Sequence, residues 1–241
     1  MKKYILFFFG LITAVSVEAQ SGYNYKEFGW GFDVSYERGY TNITQQNNSP
    51  AFALNLIYNY NPYLPIVAEL QFGKLSGGGP SPSQDPYGRQ YVNHYTSFII
   101  HADVQLGSIV DYENSWVLRI LRNAYLGTGV GFIASNNVVQ RTSIYEPSYV
   151  FPGKDKTLDV VVPLRAGYEF KIFDSYDEPS VAIDIGYIHN LAFGEGIDGY
   201  DDPSSKFKNN AINQYRQFNI GFKYFFGHVV SYNKLVKTFA Q

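Results

Sequence analysis

The sequence predicts an all-β fold, a closed antiparallel eight-stranded up-and-down transmembrane β-barrel, from three observations. Large apolar side chains alternate with small or polar ones in eight segments. The chain of 241 residues contains 22 Tyr, 19 Phe and 22 Gly, and the aromatic content favours strands. Long polar connections alternate with short ones, as they do between the strands of outer-membrane barrels.

The first segment shows the alternation most clearly. Phe28, Trp30 and Phe32 occupy every second position, and Gly29 and Gly31 fill the gaps. Successive side chains of a strand point to opposite faces, and a membrane barrel turns its apolar face outward to lipid. Comparable patterns predict strands over 27–40, 51–60, 65–76, 94–108, 124–135, 158–172, 180–193 and 214–227.

The connections agree with this topology. The segments 41–50, 76–90 and 194–210 are long and polar, whereas 61–65 and 173–179 are short. Outer-membrane barrels have long external loops, short periplasmic turns and both chain ends in the periplasm. An even number of strands places the connections of this chain in that arrangement.

The amino terminus has the three parts of a secretory signal peptide. Lys2 and Lys3 precede the apolar run 5–15, and Val17 and Ala19 form a small-residue cleavage site. The chain contains no cysteine, which excludes disulfides, and its formal net charge of −2 does not suggest a nucleic acid partner. The expected division is a signal peptide over 1–19, a barrel over 20–227 and a periplasmic tail over 228–241.

The connection between the fourth and fifth strands predicts a short amphipathic helix on the periplasmic side. Ser115 is a suitable N-cap, and Trp116 begins an apolar face that is accompanied by Arg119 and Arg122. This helix could lie in the lipid interface with its arginines at phosphates. It could equally be a helical turn that plugs the base of the barrel.

Charged side chains on the inward register form the candidate site. The interior of an eight-stranded barrel is just wide enough for side chains to fill, so charges there are expected to pair. We expect a salt-bridge network, with Asp33 near Lys223 and Arg165 near Asp184; the alternatives are a gated pore or a proton-sensitive switch at His101. The members are Asp33, Glu69, His101, Asp103, Arg165, Glu169, Lys171, Asp184 and Lys223.

An enzyme would need a nucleophile, a base and an orienting group that converge. His94 and His189 are placed near the external rim, but neither has a recognisable partner in the sequence, so no catalytic residue, metal site or cofactor is assigned. Aromatic residues in or beside the long loops could form an interfacial girdle or contact a protein or glycan. They are Tyr40, Tyr87, Tyr91, Tyr95, Tyr145, Tyr149, Phe151, Tyr200 and Phe207.

Three local patterns support a family resemblance. They are the signal junction 17–20, the spacing Gly127-x-Gly129-x-Gly131 and the aromatic end of the last strand, 221–226. With the eight alternating strands, these resemble the small outer-membrane β-barrel proteins of the OmpA/OmpX type, in the style common in Bacteroidota. The resemblance implies location in the outer membrane of a Gram-negative bacterium and assembly by machinery that reads an aromatic such as Phe226. It also implies a structural, adhesion, defence or secretion-accessory role.

We therefore expect a non-enzymatic outer-membrane barrel with a structural or interaction role in the cell envelope. Its expected partners are outer-membrane lipid, the barrel assembly machinery, and an envelope or extracellular protein or glycan at the long loops. A narrow small-solute channel is the alternative, followed by a rim-active enzyme. A soluble lipocalin-like barrel is disfavoured because its large apolar residues would have to face inward.

Overall fold

The computed structural model describes residues 24–112, 115–201, 203 and 212–232. Its eight strands close into one antiparallel barrel in sequence order, which confirms the predicted fold class. The strands are β1 Tyr25–Tyr40, β2 Gln46–Asn61, β3 Leu64–Gly78, β4 Gln90–Gln105, β5 Ala124–Val139, β6 Lys156–Phe173, β7 Pro179–Phe193 and β8 Asn213–Val230. A 3₁₀ turn, Leu106–Ser108, and the helix α1, Trp116–Leu121, connect β4 to β5.

Pairing between the first and last strands closes the barrel. β1 and β8 are antiparallel from Tyr25 opposite Val230 to Tyr40 opposite Gln214. Every backbone edge is therefore paired, a requirement for strands that cross a hydrocarbon layer. Within the described part of the chain, no helix is long and apolar enough to cross a membrane.

The connections divide the barrel into two unlike ends. The segments 62–63, 106–112, 115–123 and 174–178 lie at one end with the first residues of β1 and the last residues of β8, and we call this the turn end. The segments 41–45, 79–89 and 140–155 and the described residues 194–201, 203 and 212 lie at the other, which we call the loop end. The predicted signal peptide and residues 233–241 of the predicted tail fall outside the described residues.

The strands are longer at the loop end than the sequence predicts. β2 begins at Gln46 rather than 51, β4 begins at Gln90 rather than 94, and β5 continues to Val139 rather than 135. The extensions contain polar residues such as Asn47 and Asn136, whose weak strand propensity hides them. They are strands because their neighbours pair with them: Asn136 lies opposite His94.

The predicted alternation sets the two faces of the barrel wall. Trp30 is 46% exposed on the outer face, whereas Asp33 on the same strand is 5% exposed in the bore. Glycines on β5 make room for inward side chains of β4, because Gly127 lies opposite Asp103 and Gly129 opposite His101. An added Cβ at Gly127 would overlap the Asp103 carboxylate, so this position requires glycine.

Candidate functional site

The middle of the bore contains the charged side chains, in two linked groups that we call the charged layer. Arg165 is the centre of the first group. Its Nη1 lies 3.1 Å from Glu69 Oε2 and its Nε 3.3 Å from Asp103 Oδ1. His101 joins them, with Nδ1 3.2 Å from Asp103 Oδ1. These four side chains come from β3, β4 and β6 and are at least nine-tenths buried.

Lys223 is the centre of the second group. Its Nζ lies 2.7 Å from Glu169 Oε2 and 3.3 Å from Asp184 Oδ2. Tyr125 donates a hydrogen bond of 3.0 Å to the other oxygen of Asp184. Lys171 Nζ lies 3.7 Å from Glu169 Oε1 toward the turn end, and it donates to Gln105 at 2.8 Å. A buried charge left unpaired is costly, so these contacts are what make the layer tolerable.

The two specific pairs expected from the sequence are not formed. Arg165 lies opposite Ile188 on β7, while Asp184 lies opposite Glu169, so the register separates the first pair. On β1, Asp33 lies opposite Gly221 and receives a 2.5 Å hydrogen bond from Asn55 Nδ2. Lys223 lies opposite Gly31 and turns to the carboxylates of β6 and β7. The expected neighbour relation of β1 and β8 is correct, but the stagger of the strands decides the partners.

Several polar atoms of the charged layer have no partner within the described residues. They are Asp33 Oδ1, Asn55 Oδ1, His101 Nε2, Asp103 Oδ2, Arg165 Nε and Asn219 Oδ1. Arg165 Nε and His101 Nε2 still lie near carboxylates, at 3.3 and 3.6 Å. Buried groups of this kind are commonly bridged by water, so the layer has sites suited to a few ordered water molecules.

Between the charged layer and the loop end lies a second polar cluster, which the sequence analysis did not predict. Glu37 accepts a 2.5 Å hydrogen bond from the Tyr95 hydroxyl and a 2.9 Å bond from Gln217 Nε2. Gln217 also accepts from Gln71 Nε2 at 3.1 Å. All four lie on inward positions and are almost fully buried. The alternation of β1 places Glu37 on an inward position, and this pattern could have identified the cluster from the sequence.

Toward the loop end, the bore becomes apolar. The residues of this apolar plug are at most 3% exposed and come from strands and loops together. Its aliphatic members are Ile43, Leu75, Ile99, Ile133, Val161 and Ile197. Tyr91, Tyr95, Phe151, Tyr200 and Tyr215 surround them. Ile99 and Val161 are large apolar residues on inward positions of β4 and β6, and the plug gives their packing partners.

The loops form an ordered cap over this plug. The segment after β7 turns into the mouth of the barrel, where Asn93 Nδ2 donates to Ile197 O at 2.9 Å and Asn137 Nδ2 to Gly196 O at 2.7 Å. Arg141 Nη1 from the β5–β6 loop donates to Gly199 O at 2.7 Å. The carbonyl groups of the β7–β8 loop thus accept hydrogen bonds from side chains across the mouth of the barrel. These hydrogen bonds hold the cap in the mouth, because buried backbone groups need partners.

A buried ion pair fixes the β3–β4 loop within the cap. Arg89 Nη2 lies 3.0 Å from Asp85 Oδ1, and both side chains are nearly inaccessible. The same Nη2 donates to Asn42 O at 3.0 Å, which ties this loop to the β1–β2 loop. The Tyr200 hydroxyl accepts from Gln90 N at 3.2 Å, which ties the β7–β8 loop to β4.

Asp198 is the titratable group of the cap that burial perturbs most clearly. Its side chain is 1% exposed beneath the β7–β8 loop. Burial raises its pKa to about 7, although hydrogen bonds from Tyr200 N and Thr41 and the charge of Arg89 favour the ionised form. The nearby Glu195 raises the pKa further. The protonation of Asp198 therefore changes near neutral pH.

The predicted helix is present at the turn end, where its Leu118 packs against the buried rings of Tyr63 and Tyr112. Ser115 caps α1 by accepting from Leu118 N, and none of the residues of α1 is buried. Trp116 is 71% exposed, and Val117, Ile120 and Leu121 are 41–44% exposed. Arg122 stacks over the Tyr112 ring at 5.5 Å, and Arg119 lies in the last turn. Four of its apolar side chains are therefore accessible, and the position of the helix in the lipid interface stays a prediction.

The other sequence candidates are dispersed. His94 is exposed on the outer wall of β4, and His189 is half-buried on the outer wall of β7, so the two do not converge. Tyr91, Tyr95, Phe151 and Tyr200, expected as surface aromatics, are buried in the plug because the strands extend and the cap folds inward. Tyr87 and Tyr145 remain exposed, and Phe207 falls outside the described residues.

The sequence matches no protein-family model and no curated protein. Solved structures of bacterial envelope proteins are similar over most of the chain. Neisserial surface protein A has 11% identity and a TM-score of 0.44, covering 83% of this chain and 97% of its own. Ail of Yersinia pestis, in complex with a heparin analogue, has 14% identity and a TM-score of 0.42, covering 83% and 99%. The outer membrane protein OprG of Pseudomonas aeruginosa has 8% identity and a TM-score of 0.34, covering 86% and 99%. Because these identities and TM-scores are low, the architecture of this chain is established by its own strand pairing rather than by the comparison.

Proposed function

We propose that this protein is a non-enzymatic outer-membrane β-barrel whose bore is filled and whose loop cap faces the outside of the cell. In this role it contributes to the envelope as an anchored surface structure, and the loop cap is the part available to an envelope or extracellular protein or glycan. The signal peptide expected over 1–19 is consistent with export. The proposal rests first on the outer wall of the barrel.

The outer wall carries a continuous apolar surface around the barrel. Exposed large side chains occur on all eight strands, among them Trp30, Leu56, Phe98, Leu126, Phe170 and Ile220. A monomer in water rarely exposes so large an apolar patch, whereas a membrane barrel requires it. Strands of 15–18 residues are long enough, since a tilted strand needs about 9–11 residues to cross the hydrocarbon layer.

The filled bore supports an anchoring role over a channel. The charged layer, the Glu37 cluster and the apolar plug follow one another along the barrel, and their side chains are almost fully buried. A solute path would require the plug to leave and the ion pairs to separate. We expect no steady conductance when the full mature chain is inserted into a planar bilayer at neutral pH; a stable single-channel step would favour the narrow channel instead.

The membrane face can be tested by one substitution and its control. Ile220 is 62% exposed near the middle of β8, and an arginine there would face hydrocarbon at a cost of about 2–4 kcal/mol. We expect Ile220→Arg to reduce refolding into vesicles, and Ser175→Arg in the exposed turn between β6 and β7 to leave it unchanged. Equal refolding of both variants would contradict the assignment of this face to lipid.

Orientation can be tested in intact cells with single cysteines, since the chain has none of its own. Ser83 lies exposed in the β3–β4 loop and Ser175 in the turn at the opposite end. We expect a membrane-impermeant maleimide to label the Ser83→Cys variant and to label Ser175→Cys only after the cells are opened. Labelling of Ser175→Cys alone in intact cells would reverse the proposed topology.

A further inference from the structure

Two arginines oppose each other on the outer wall at the loop end. Arg38 on β1 lies directly opposite Arg216 on β8. Both are half-buried, and their inward-facing neighbours on each strand are buried in the bore, so the two side chains point outward. They share one aromatic ring, because the guanidinium carbons of Arg38 and Arg216 lie 5.9 and 4.7 Å from the ring centroid of Tyr40.

Among the residues that the structure describes, the pair has no counter-charge. Like charges directly opposite each other destabilise a pair of strands, and Tyr40 alone offsets this in part. No carboxylate of the described residues forms an ion pair with either arginine. On the flanking strands, the residues directly opposite are His189 for Arg216 and Asn48 for Arg38, neither of which is acidic. Arg38 Nε is also buried without a hydrogen-bond partner.

The position of the pair indicates which anion would complete it. Tyr36 and Phe218, two residues closer to the middle of the barrel, lie opposite each other and are 58% and 59% exposed. The arginines therefore lie at the loop-side edge of the apolar outer wall, which we call the apolar belt. In the proposed membrane location, this edge is the level where lipid phosphates meet the hydrocarbon. Guanidinium groups bind phosphate through paired, charge-assisted hydrogen bonds.

We propose that Arg38, Arg216 and Tyr40 form a binding site for the phosphate headgroup of a lipid in the loop-side leaflet, with its acyl chains along Tyr36 and Phe218. This inference rests on the proposed membrane location. It selects a lipid over a free anion because the belt and the arginines form one continuous surface. A phosphomonoester, which carries more charge than a diester, is the chemistry that two adjacent guanidinium groups fit best.

Native mass spectrometry of the full mature chain in neutral detergent tests the site. The probes are dioleoyl phosphatidic acid, a phosphomonoester lipid, and dioleoyl phosphatidylcholine. We expect selective retention of one phosphatidic acid, and about 30-fold weaker retention in the double variant Arg38→Gln, Arg216→Gln. The matched control is Lys74→Gln with Lys156→Gln, which removes the same charge from exposed outward positions of β3 and β6. It should change retention less than twofold.

Three results would overturn the inference. The first is equal retention of phosphatidic acid by the wild type and the arginine variant, when a heat-dependent shift in gel migration shows that both proteins are folded. The second is equal retention of both lipids by wild type. The third is competition by inorganic phosphate at the concentration of the lipid, which would make the site a free-anion site. Insertion into pure phosphatidylcholine vesicles is measured alongside; failure there would contradict the proposed function rather than the lipid site.

Discussion

The middle of the bore and its loop end are filled by opposite chemistry within the same barrel. In the middle, Arg165 and Lys223 each lie between two carboxylates. Gly127 of β5 and Gly221 of β8 leave room for the carboxylates of Asp103 and Asp33. At the loop end, Ile133 and Ile197 pack in an apolar cluster that is closed by loop residues. The difference teaches that the charged layer depends on strand register, whereas the plug depends on loops that fold back onto the barrel.

The largest effect is expected from breaking the charged layer. Arg165→Met would leave Glu69 and Asp103 without their shared cation at sites that are 2% exposed. Removing one partner of a buried ion pair costs about 3–5 kcal/mol. We expect a loss of this size in the free energy of unfolding, measured by urea titration of the barrel in lipid vesicles.

The matched control for this variant is Lys156→Met, which removes an exposed cation at the loop end of β6. It should change the free energy of unfolding by less than about 0.5 kcal/mol. If Arg165→Met cost no more than this control, water would have to hydrate the carboxylates freely. The dependence of the charged layer on its ion pairs, which distinguishes it from the apolar plug, would then be wrong.

The next largest effect concerns the plug. Ile197 comes from a loop, is completely buried and packs among strand residues such as Ile133. Truncation of a buried isoleucine to alanine costs about 2–5 kcal/mol, and here the loss should fall on the cap rather than on the barrel. We expect Ile197→Ala to speed cleavage of the β7–β8 loop by added protease, with little change in urea unfolding of the barrel.

Ile212→Ala is the control for the plug, since Ile212 belongs to the same connection and is 49% exposed. It should leave cleavage near the wild-type rate. Equal acceleration by both substitutions would mean that the loop is held by its backbone bonds alone. Such a result would remove the plug as a separate stabilising region.

A smaller effect should follow pH, through Asp198. The closed cap holds Asp198 with a pKa of about 7, above its ordinary value of 3.8, so closing the cap takes up a proton between those values. The stability that this provides is present below about pH 4 and is lost as pH rises to about 7. Between pH 5 and pH 8 the free energy of cap opening should fall by about 3 kcal/mol. Hydrogen exchange of residues 196–200 measures this opening.

Asp198→Asn keeps the shape of the side chain and cannot ionise, so its opening should not change across this range. The group is surrounded by Thr41, Arg89, Tyr91, Glu195 and Tyr200, and among these Arg89 is already paired with Asp85. A wild-type cap with the same flat profile as Asp198→Asn would show that water reaches the carboxylate in the closed state.

The contrast between the two regions also explains what the sequence could predict. The strands and their lipid-facing sides can be predicted from alternation, because alternation is a local pattern. In β1, the residues from Phe28 to Tyr36 alone indicate which side chains face lipid and which face the bore. The partners of Arg165 depend on the stagger between strands, and a shift of four residues replaces Asp184 by Ile188. The burial of Ile43 and Ile197 depends on contacts between loops that have no periodicity, so no local pattern contains it.

The smallest effect is expected on the outside of the cap. The Tyr145 hydroxyl donates a 2.8 Å hydrogen bond to Pro80 O between two loops, but its ring is 48% exposed. An exposed hydrogen bond of this kind contributes about 0.5–1 kcal/mol, because water replaces it when it is lost. We expect Tyr145→Phe to change cap opening by no more than that amount in the same exchange measurement.

Tyr200→Phe removes a hydroxyl whose contacts with Gln90 and Gln140 lie within the mouth, and it should open the cap more. If the exposed substitution had the larger effect, the cap would be held from its surface, and the apolar plug would not be the region that keeps the loops in place.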